Sequence, residues 1–451
     1  MAITDEELGT TDIKKLLIKQ AAPASIGILF MSLNILIDTI FVGQWIGPLA
    51  IAVVTVVFPI TFLISSLGMA IGVGGGSVLS RALGAKNREK AKLTFANQIM
   101  MTFLLASIFV ILGFFFSREL LLFYGAKGDI MAPATVFLSP IIVSVPFLAL
   151  SMMGNNIIRA EGQATYAMVS MIIPALVNIA LDVLFIKFMD LGLYGAALAT
   201  GISYFTCFLF ILWYFIYKTE LKIQAKDFKF HLPIIKEISS LSFVSFSRQG
   251  VVSILAIILN HTLYSYGGEN SIIVYGIISK TLIFALFPVL GITQGFIPIA
   301  GYNYGAEKYN RVKESIQISI KYAALLASLV FIVILYYATP IIAVFTTNAE
   351  IIADAPSALR WVFAASPVIA VQLIGAAYFQ AAGKAKKALL LTLSKQGFFL
   401  IPLVLILPNF FGIFGVWIAF PIADVLSTLL TAYFLKKEMT TKLIQTTDGL
   451  L

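Results

Sequence analysis

Two stretches place an amide and a carboxylate four residues apart: NILID, Asn34 to Asp38, and NIALD, Asn178 to Asp182. Asp38 is the one charge between Lys19 and Arg81. In a helix, four residues is about one turn, so each amide shares a face with its carboxylate. A polar group among apolar residues can simply hydrogen-bond a neighbouring helix. Two carboxylates close together at low dielectric have a further option: they cannot easily both stay ionised, so one takes a proton or the pair shares a cation. That is what ion coupling requires, because H⁺ or Na⁺ binding changes the local charge and can bias a bundle between two conformations.

The elements that carry these residues are membrane helices. The 451-residue chain is 60% hydrophobic and only 12% charged, against about a quarter charged in soluble domains. Twelve apolar runs approach the roughly 20 residues that cross a hydrocarbon core: 22–43, 50–78, 93–115, 131–155, 165–186, 192–216, 238–265, 271–299, 317–340, 359–379, 387–407 and 412–435. With no water to satisfy the backbone, spans of this length must be helical. The expected fold class is therefore an all-α polytopic membrane protein with twelve transmembrane helices. Depth follows from rise: Asp38 lies roughly 13 Å before the turn at Gly47, Asn178 roughly 13 Å from Lys187, and Thr200 roughly 12 Å from Gly192. Asp38, Asn178, Asp182 and Thr200 are thus expected in one layer of the outer half of the first bundle.

The acidic start MAITDEELGTTD is the reverse of a signal peptide, and the lone Cys207, inside a span, reads as a small hydrophobe. The net charge of +9 is a topology signal and not a nucleic-acid patch. Lys14, Lys86, Arg88, Arg159, Lys222, Lys308, Lys386 and their neighbours fall in loops on one side, against Arg118, Lys127 and Lys187 on the other. The positive-inside rule puts both termini in the cytoplasm.

An internal repeat organises the chain. Gly84-Ala85-Lys86 lines up with Gly305-Ala306-Glu307, Gly162 with Gly383, and Gly192 with Gly412. Six spans per half is an even number, so the halves enter the membrane in the same orientation. Parallel repeats of this kind are typical of secondary transporters. Residues 1–217 form the expected N-lobe, 218–237 a cytoplasmic linker and 238–451 the C-lobe.

Ionisable residues within spans are costly and are functional candidates by default; Asp38, Asp182, Arg248, Lys280, Lys395 and Asp424 qualify. The four in the second half can pair with one another, or the cations can line a cavity and attract anionic groups. His261 can titrate near neutrality or simply pack.

NILIDTIFVGQWIGPLAIAVV, LSRALGAKN, NIIRAEGQA, NIALDVLFI with LGLYGAALAT, and GITQGFIPIAGYNYGAEK resemble the multidrug and toxic compound extrusion (MATE) family over essentially the whole chain, closest to its DinF-like and MepA-like branches. The resemblance implies a V-shaped fold of two six-helix lobes and export of cationic or amphiphilic drugs in exchange for H⁺ or Na⁺. It implies an N-lobe cation site at Asp38, Asn178, Asp182 and Thr200, and a helix bend at Pro23. Asn34, Asn155, Asn260, Lys280 and Lys395 are the expected substrate-cavity residues. Asn260 is read as the repeat partner of Asp38, which would leave coupling to the N-lobe. The protein is expected to act as a monomer in the cytoplasmic (inner) membrane, with small-molecule partners, no cofactor and no enzyme activity. The alternative is a lipid-linked oligosaccharide flippase of the same superfamily. GVGGGS, Gly72 to Ser77, lacks the strand and Lys-Ser/Thr of a nucleotide loop and reads as close helix packing. No HExxH, CxxC or His/Cys cluster suggests a metal.

Overall fold

The computed structural model describes residues 5–124, 126, 128–346 and 348–443, and every regular element among them is helical. Lys127, expected on the outer side, lies outside the described residues. A short α1 (Asp5–Thr10) leads into α2 (Ile13–Trp45), α3 (Pro48–Gly84), α4 (Arg88–Phe115), α5 (Ser117–Phe123), α6 (Met131–Ala160), α7 (Ala164–Asp182) and α8 (Gly192–Tyr217). The second half runs α9 (Leu232–Gly305), α10 (Tyr309–Phe345), α11 (Ala349–Phe363), α12 (Ile369–Ala381), α13 (Ala385–Leu393), α14 (Ile401–Ile406), α15 (Pro408–Phe411) and α16 (Ile413–Thr441). π-helical segments follow α7 (Val183–Phe188) and α13 (Ser394–Leu400).

Among the described residues, ten helical stretches are long and apolar enough to cross a membrane, against twelve expected spans. The 74 residues of α9 hold two of those spans, separated at Gly268, where φ 63° and ψ −162° leave the helical region. The expected span 359–379 is divided between α11 and α12 by turn residues 364–368. Pro367 lies in that turn and has no N–H to continue a helix. Phe114, Phe115, Phe123, Val344 and Phe410 are largely exposed, as suits side chains facing lipid.

By its contacts the chain forms two units, Ile26–Ser242 and Glu6–Ser25 with Phe243 onward. This division differs from the expected lobes at both leading segments. The stretch taken as a linker is anchored within the first unit: Thr219 and Leu221 are buried, and Glu237 bridges Arg81 at 2.9 Å and Lys90 at 2.8 Å. Bare glycines explain the rest. A Cβ on Gly74 would stand 2.6 Å from the Ser242 nitrogen, and one on Gly295 2.7 Å from the Ala21 nitrogen. Both partners of the first contact are displaced by the same 221 residues from their counterparts in the second. The start of α9 is thus seated on α3, and the start of α2 on the end of α9. Asn97 Nδ2 donates to the Lys229 carbonyl at 3.1 Å, and Asn303 Nδ2 to the equivalent Leu8 carbonyl at 2.9 Å.

The repeat is equally plain in the backbone. Left-handed residues recur in pairs: Gly47 with Gly268, Lys86 (φ 56°) with Glu307 (φ 57°), Gly162 (φ 80°) with Gly383 (φ 76°), and Gly192 (φ 53°) with Gly412 (φ 57°). Lys86 and Glu307 occupy this region despite its steric cost for residues with a Cβ. Each is followed by the same 6→1 closing bond, Asn87 N to Ala82 O and Lys308 N to Asn303 O, both 2.9 Å, which caps the orphan carbonyls of a helix end.

The first unit's core joins Val53, Val57 and Ile64 of α3 to Ala106 of α4, Leu138 and Ile141 of α6, and Ala197 of α8. The second joins Leu259 and Ile278 of α9 to Ile334, Phe363, Val404 and Phe420. Gly72, Gly74 and Gly75 meet neighbouring helices directly, the packing role read from GVGGGS. Two glycines separate close contact from open space. Gly68→Ala would put a Cβ 2.6 Å from the Ala149 carbonyl oxygen, and is expected to cost about 1–3 kcal/mol by overpacking. Gly250→Ala meets nothing within 4 Å and is expected to gain up to about 1 kcal/mol of helix propensity. Thermal unfolding in detergent should move the two melting temperatures in opposite directions; a shift of the same sign in both contradicts this account.

Candidate functional site

The acids of NILID and NIALD come together because α2 meets α7 on one side of them and the π-helical segment that follows α7 on the other. Toward one end, Gly27 lets α2 approach α7, where a Cβ would lie 2.8 Å from Met171 Sδ. Toward the other, Lys187 Nζ sits 5.6 Å over the Trp45 ring, a cation–π contact that fixes the same register. Between them the Asp38 and Asp182 carboxyl groups come close enough to interact directly.

Asp182 is fully buried, and neither of its carboxylate oxygens receives a donor from the described residues. One turn away, Asn178 is buried with its Nδ2 unpartnered, and the buried Oδ1 of Asn34 is unpartnered too. Two carboxylates in contact without a donor require a proton on one or a cation between them. Asp182 also opens the π-helical segment Val183–Phe188, a distortion frequent at functional sites.

α8 supplies Thr200 and Tyr204. Thr200 Oγ1 donates to the Ala196 carbonyl at 3.0 Å, leaving its lone pairs free to accept. Tyr204 lies near Asp38 and was not picked out from the sequence; the signal was present, since it follows Thr200 by one turn on the same face.

Asn155, expected at the substrate cavity, makes hydrogen bonds to its neighbours. Its Nδ2 donates to the Ala167 carbonyl and to Ser170 Oγ, both at 2.7 Å, while its Oδ1 accepts from Arg159 Nε at 3.0 Å. The side chain clamps α6 to α7. Arg159 was counted among the loop cations, but it is buried at the end of α6. Its other contact is with Met171 Sδ, at 3.2 Å. The neighbouring buried Glu161 accepts from Tyr214 Oη at 2.6 Å and from Thr219.

In the second unit, Lys395 Nζ pairs with Asp424 Oδ1 at 2.6 Å, and Asp424 is almost wholly buried. Lys280 and Asn260 are exposed on α9. The pairing of Asn260 with Asp38 is corrected by the backbone: Gly47 and Gly268, both at positive φ and 221 residues apart, make Leu259 the counterpart of Asp38. Leu259 is a fully buried core residue. Pro23 lies within an unbroken α2, two residues before the helix passes at Ser25/Ile26 from one contact unit to the other. Among the described residues, no three His, Cys, Asp or Glu side chains gather as a multivalent metal would need.

Two repeated helical units, one with an uncompensated acid pair deep among its helices, define a polytopic membrane protein of the transporter class. A family model described as MatE matches residues 23–184 and again 246–406, and the chain belongs to that family. It is 25% identical over 433 residues to the multidrug export protein MepA of Staphylococcus saprophyticus, covering 95% of each chain. It is 26% identical over 431 residues to MepA of Staphylococcus aureus strain N315, again covering 95% of each. A solved structure described as the outward-facing conformation of a multidrug resistance MATE family transporter of the MOP superfamily aligns with TM-score 0.92 and 26% identity, covering 99% of this chain and 100% of that one.

The ion pair of the second unit gives a direct test. Asp424→Asn strands Lys395 without its counter-charge, and breaking one side of a buried pair costs about 3–5 kcal/mol. Asp424→Leu combined with Lys395→Met should recover most of that loss in a thermal melt. A double variant no more stable than Asp424→Asn would show that the pair is not the stabilising unit.

Proposed function

We propose that the protein is a secondary active antiporter that exports cationic or amphiphilic drug-like molecules in exchange for H⁺ or Na⁺, coupled through Asp38 and Asp182. The observation that carries this reading is the contact between the two carboxyl groups with no protein donor to Asp182. The names of the MepA relatives support drugs as the cargo. The protein works as a multi-pass transporter, not an enzyme, in the cytoplasmic membrane, as a monomer with both termini inside and no cofactor.

In the proposed cycle, an ion arriving from outside enters between Asp38 and Asp182. If it is a proton, one carboxyl becomes a donor to the other. If it is Na⁺, the carboxylates, the Asn178 and Asn34 amide oxygens and the Thr200 hydroxyl provide hard oxygen ligands of the kind alkali ions require. Either way the net negative charge of the pair falls, and the balance of forces holding α2 against α7 changes. Pro23 provides the point at which α2 bends, since it removes one backbone hydrogen bond from that helix. Substrate leaves outward with the ion bound, and release of the ion to the cytoplasm restores the starting state. One charge moving down the membrane potential supplies about 2.3 kcal/mol per 100 mV.

Asp38→Asn should abolish ethidium efflux from proteoliposomes while the variant still inserts and stays monodisperse. Imposing the pH and Na⁺ gradients separately identifies the coupling ion by which one drives wild-type efflux. Undiminished gradient-driven efflux by Asp38→Asn would refute coupling through this pair.

A further inference from the structure

An exposed apolar patch lies between the expected spans 192–216 and 238–265. Phe228, Phe230 and Leu232 are 42%, 61% and 78% exposed. They sit among Lys226, Lys229 and Lys236, which are exposed and, among the described residues, in no ion pair. The acids of the same segment are engaged elsewhere. Glu220 pairs with Arg88 at 3.4 Å, Asp227 Oδ2 accepts from the Gln224 N–H at 2.7 Å, and Glu237 is held by Arg81 and Lys90.

The depth of this patch is set by α4. The buried side chain of Asn97 donates from Nδ2 to the Lys229 carbonyl and accepts from the His231 N–H, both at 3.1 Å. Asn97 lies nine residues beyond Arg88, about 13 Å along the helix, and inside the apolar run 93–115. From Thr94 to Gln98 every residue of α4 is buried, whereas Phe103 and Leu104 are exposed, as suits a lipid-facing helix. The segment therefore covers α4 at the edge of the hydrocarbon. The repeat shows that the fold does not require its aromatic side chains. Displaced by 221, the counterparts of Phe228, Phe230 and Leu232 are Glu7, Gly9 and Thr11, and that of Lys229 is the buried Leu8. Leu8 is anchored through the same carbonyl, by Asn303 at 2.9 Å.

We propose that residues 226–236 form a membrane-docking surface, in which Phe228, Phe230 and Leu232 enter the lipid interface beside α4 while Lys226, Lys229 and Lys236 bind anionic phospholipid headgroups of the cytoplasmic leaflet. The leaflet rests on the topology proposed above. Aromatic and leucine side chains gain by leaving water at this level, and lysines gain attraction to an anionic leaflet over about a Debye length. A soluble partner would need the patch clear of the bilayer, and Asn97 holds it within the apolar run of α4.

Cys207, the one cysteine in the sequence, is buried, so Phe230→Cys offers a single accessible thiol for a nitroxide. The labelled full chain is placed in nanodiscs of phosphatidylcholine, alone or with an equal amount of phosphatidylglycerol. Collisions with oxygen, which concentrates in hydrocarbon, and with a neutral nickel chelate, which stays in water, are read by power-saturation EPR. Phosphatidylglycerol is expected to raise oxygen access and abolish chelate access. That lipid effect should be lost in Lys226→Gln/Lys229→Gln/Lys236→Gln, and also in 1 M salt, where the Debye length is about 3 Å; the salt arm decides if the triple variant does not fold. A label at Thr10→Cys, the exposed counterpart of His231, should stay open to the chelate in both lipids. Equal chelate access in the two lipids, or a lipid effect that survives 1 M salt, overturns the proposal. Both nanodisc leaflets are alike, so the outcome does not depend on orientation. Labelling of Phe230→Cys by an impermeant maleimide in intact spheroplasts would count against the topology and not against lipid docking.

Discussion

Two carboxyl groups close together, one of them fully buried and without a donor among the described residues, cannot easily both be charged. That constraint organises the first unit. Asp182 is buried with both oxygens unpartnered, so its state depends on what Asp38 brings and on which small ion joins them. A purely structural pair would gain from neutral groups or a fixed counter-cation, as in the second unit, where Lys395 answers Asp424 directly. In the first unit the buried cation Arg159 is engaged with Asn155 and Met171. An acid pair with no fixed counter-charge is what the proposed ion coupling would use, since a mobile ion could then change its charge.

The duplicated chain has kept its backbone and changed its chemistry. Left-handed residues, closing bonds at helix ends and bare-glycine contacts recur at nearly constant displacement. These are positions where a Cβ or a different φ would break the fold, so they tolerate little change. Side chains facing the interior are under no such constraint. Asp38 corresponds to the core residue Leu259, and the stretch Ile401–Ile406, opposite Asp182 in the repeat, contains no ionisable residue. Polarity in the second unit has moved to Lys395, Asp424 and Arg248. Two copies of one scaffold thus offer different charges, acidic in one and basic in the other.

Much of this was legible in the sequence because membrane burial exaggerates the signals. Apolar runs marked the crossings, a constant displacement marked the repeat, and isolated carboxylates stood out against hydrocarbon. What was not legible depended on contact. Nothing local tells that Asn155 bonds Ala167 and Ser170, because an amide on a helix face reads the same with or without such partners. The division of α11 from α12 was hidden by an apolar composition that continues through the turn at Pro367. Asn260 is the more conspicuous side chain near the counterpart of Asp38, but the displacement of 221 shared by the glycine pairs in the sequence, and by Gly47 and Gly268 in the backbone, falls on Leu259.

The leading segments give the repeat its mechanical consequence. Residues 6–25 have their contacts in the second unit, while the rest of α2, including Asp38, has its contacts in the first. The helix is unbroken through Pro23, and its early residues are held at the backbone of α9 by Gly295 and Gly291, against Ala21 and Ser25. Close backbone contacts of this kind behave as fixed points, because interiors at native packing density do not deform continuously. Under the proposed coupling, a change in charge at Asp38 would act on a rod whose other end is fixed, and strain would collect where the helix is weakest. That place is the turn around Pro23, which lacks one hydrogen bond and immediately precedes the passage from one set of contacts to the other.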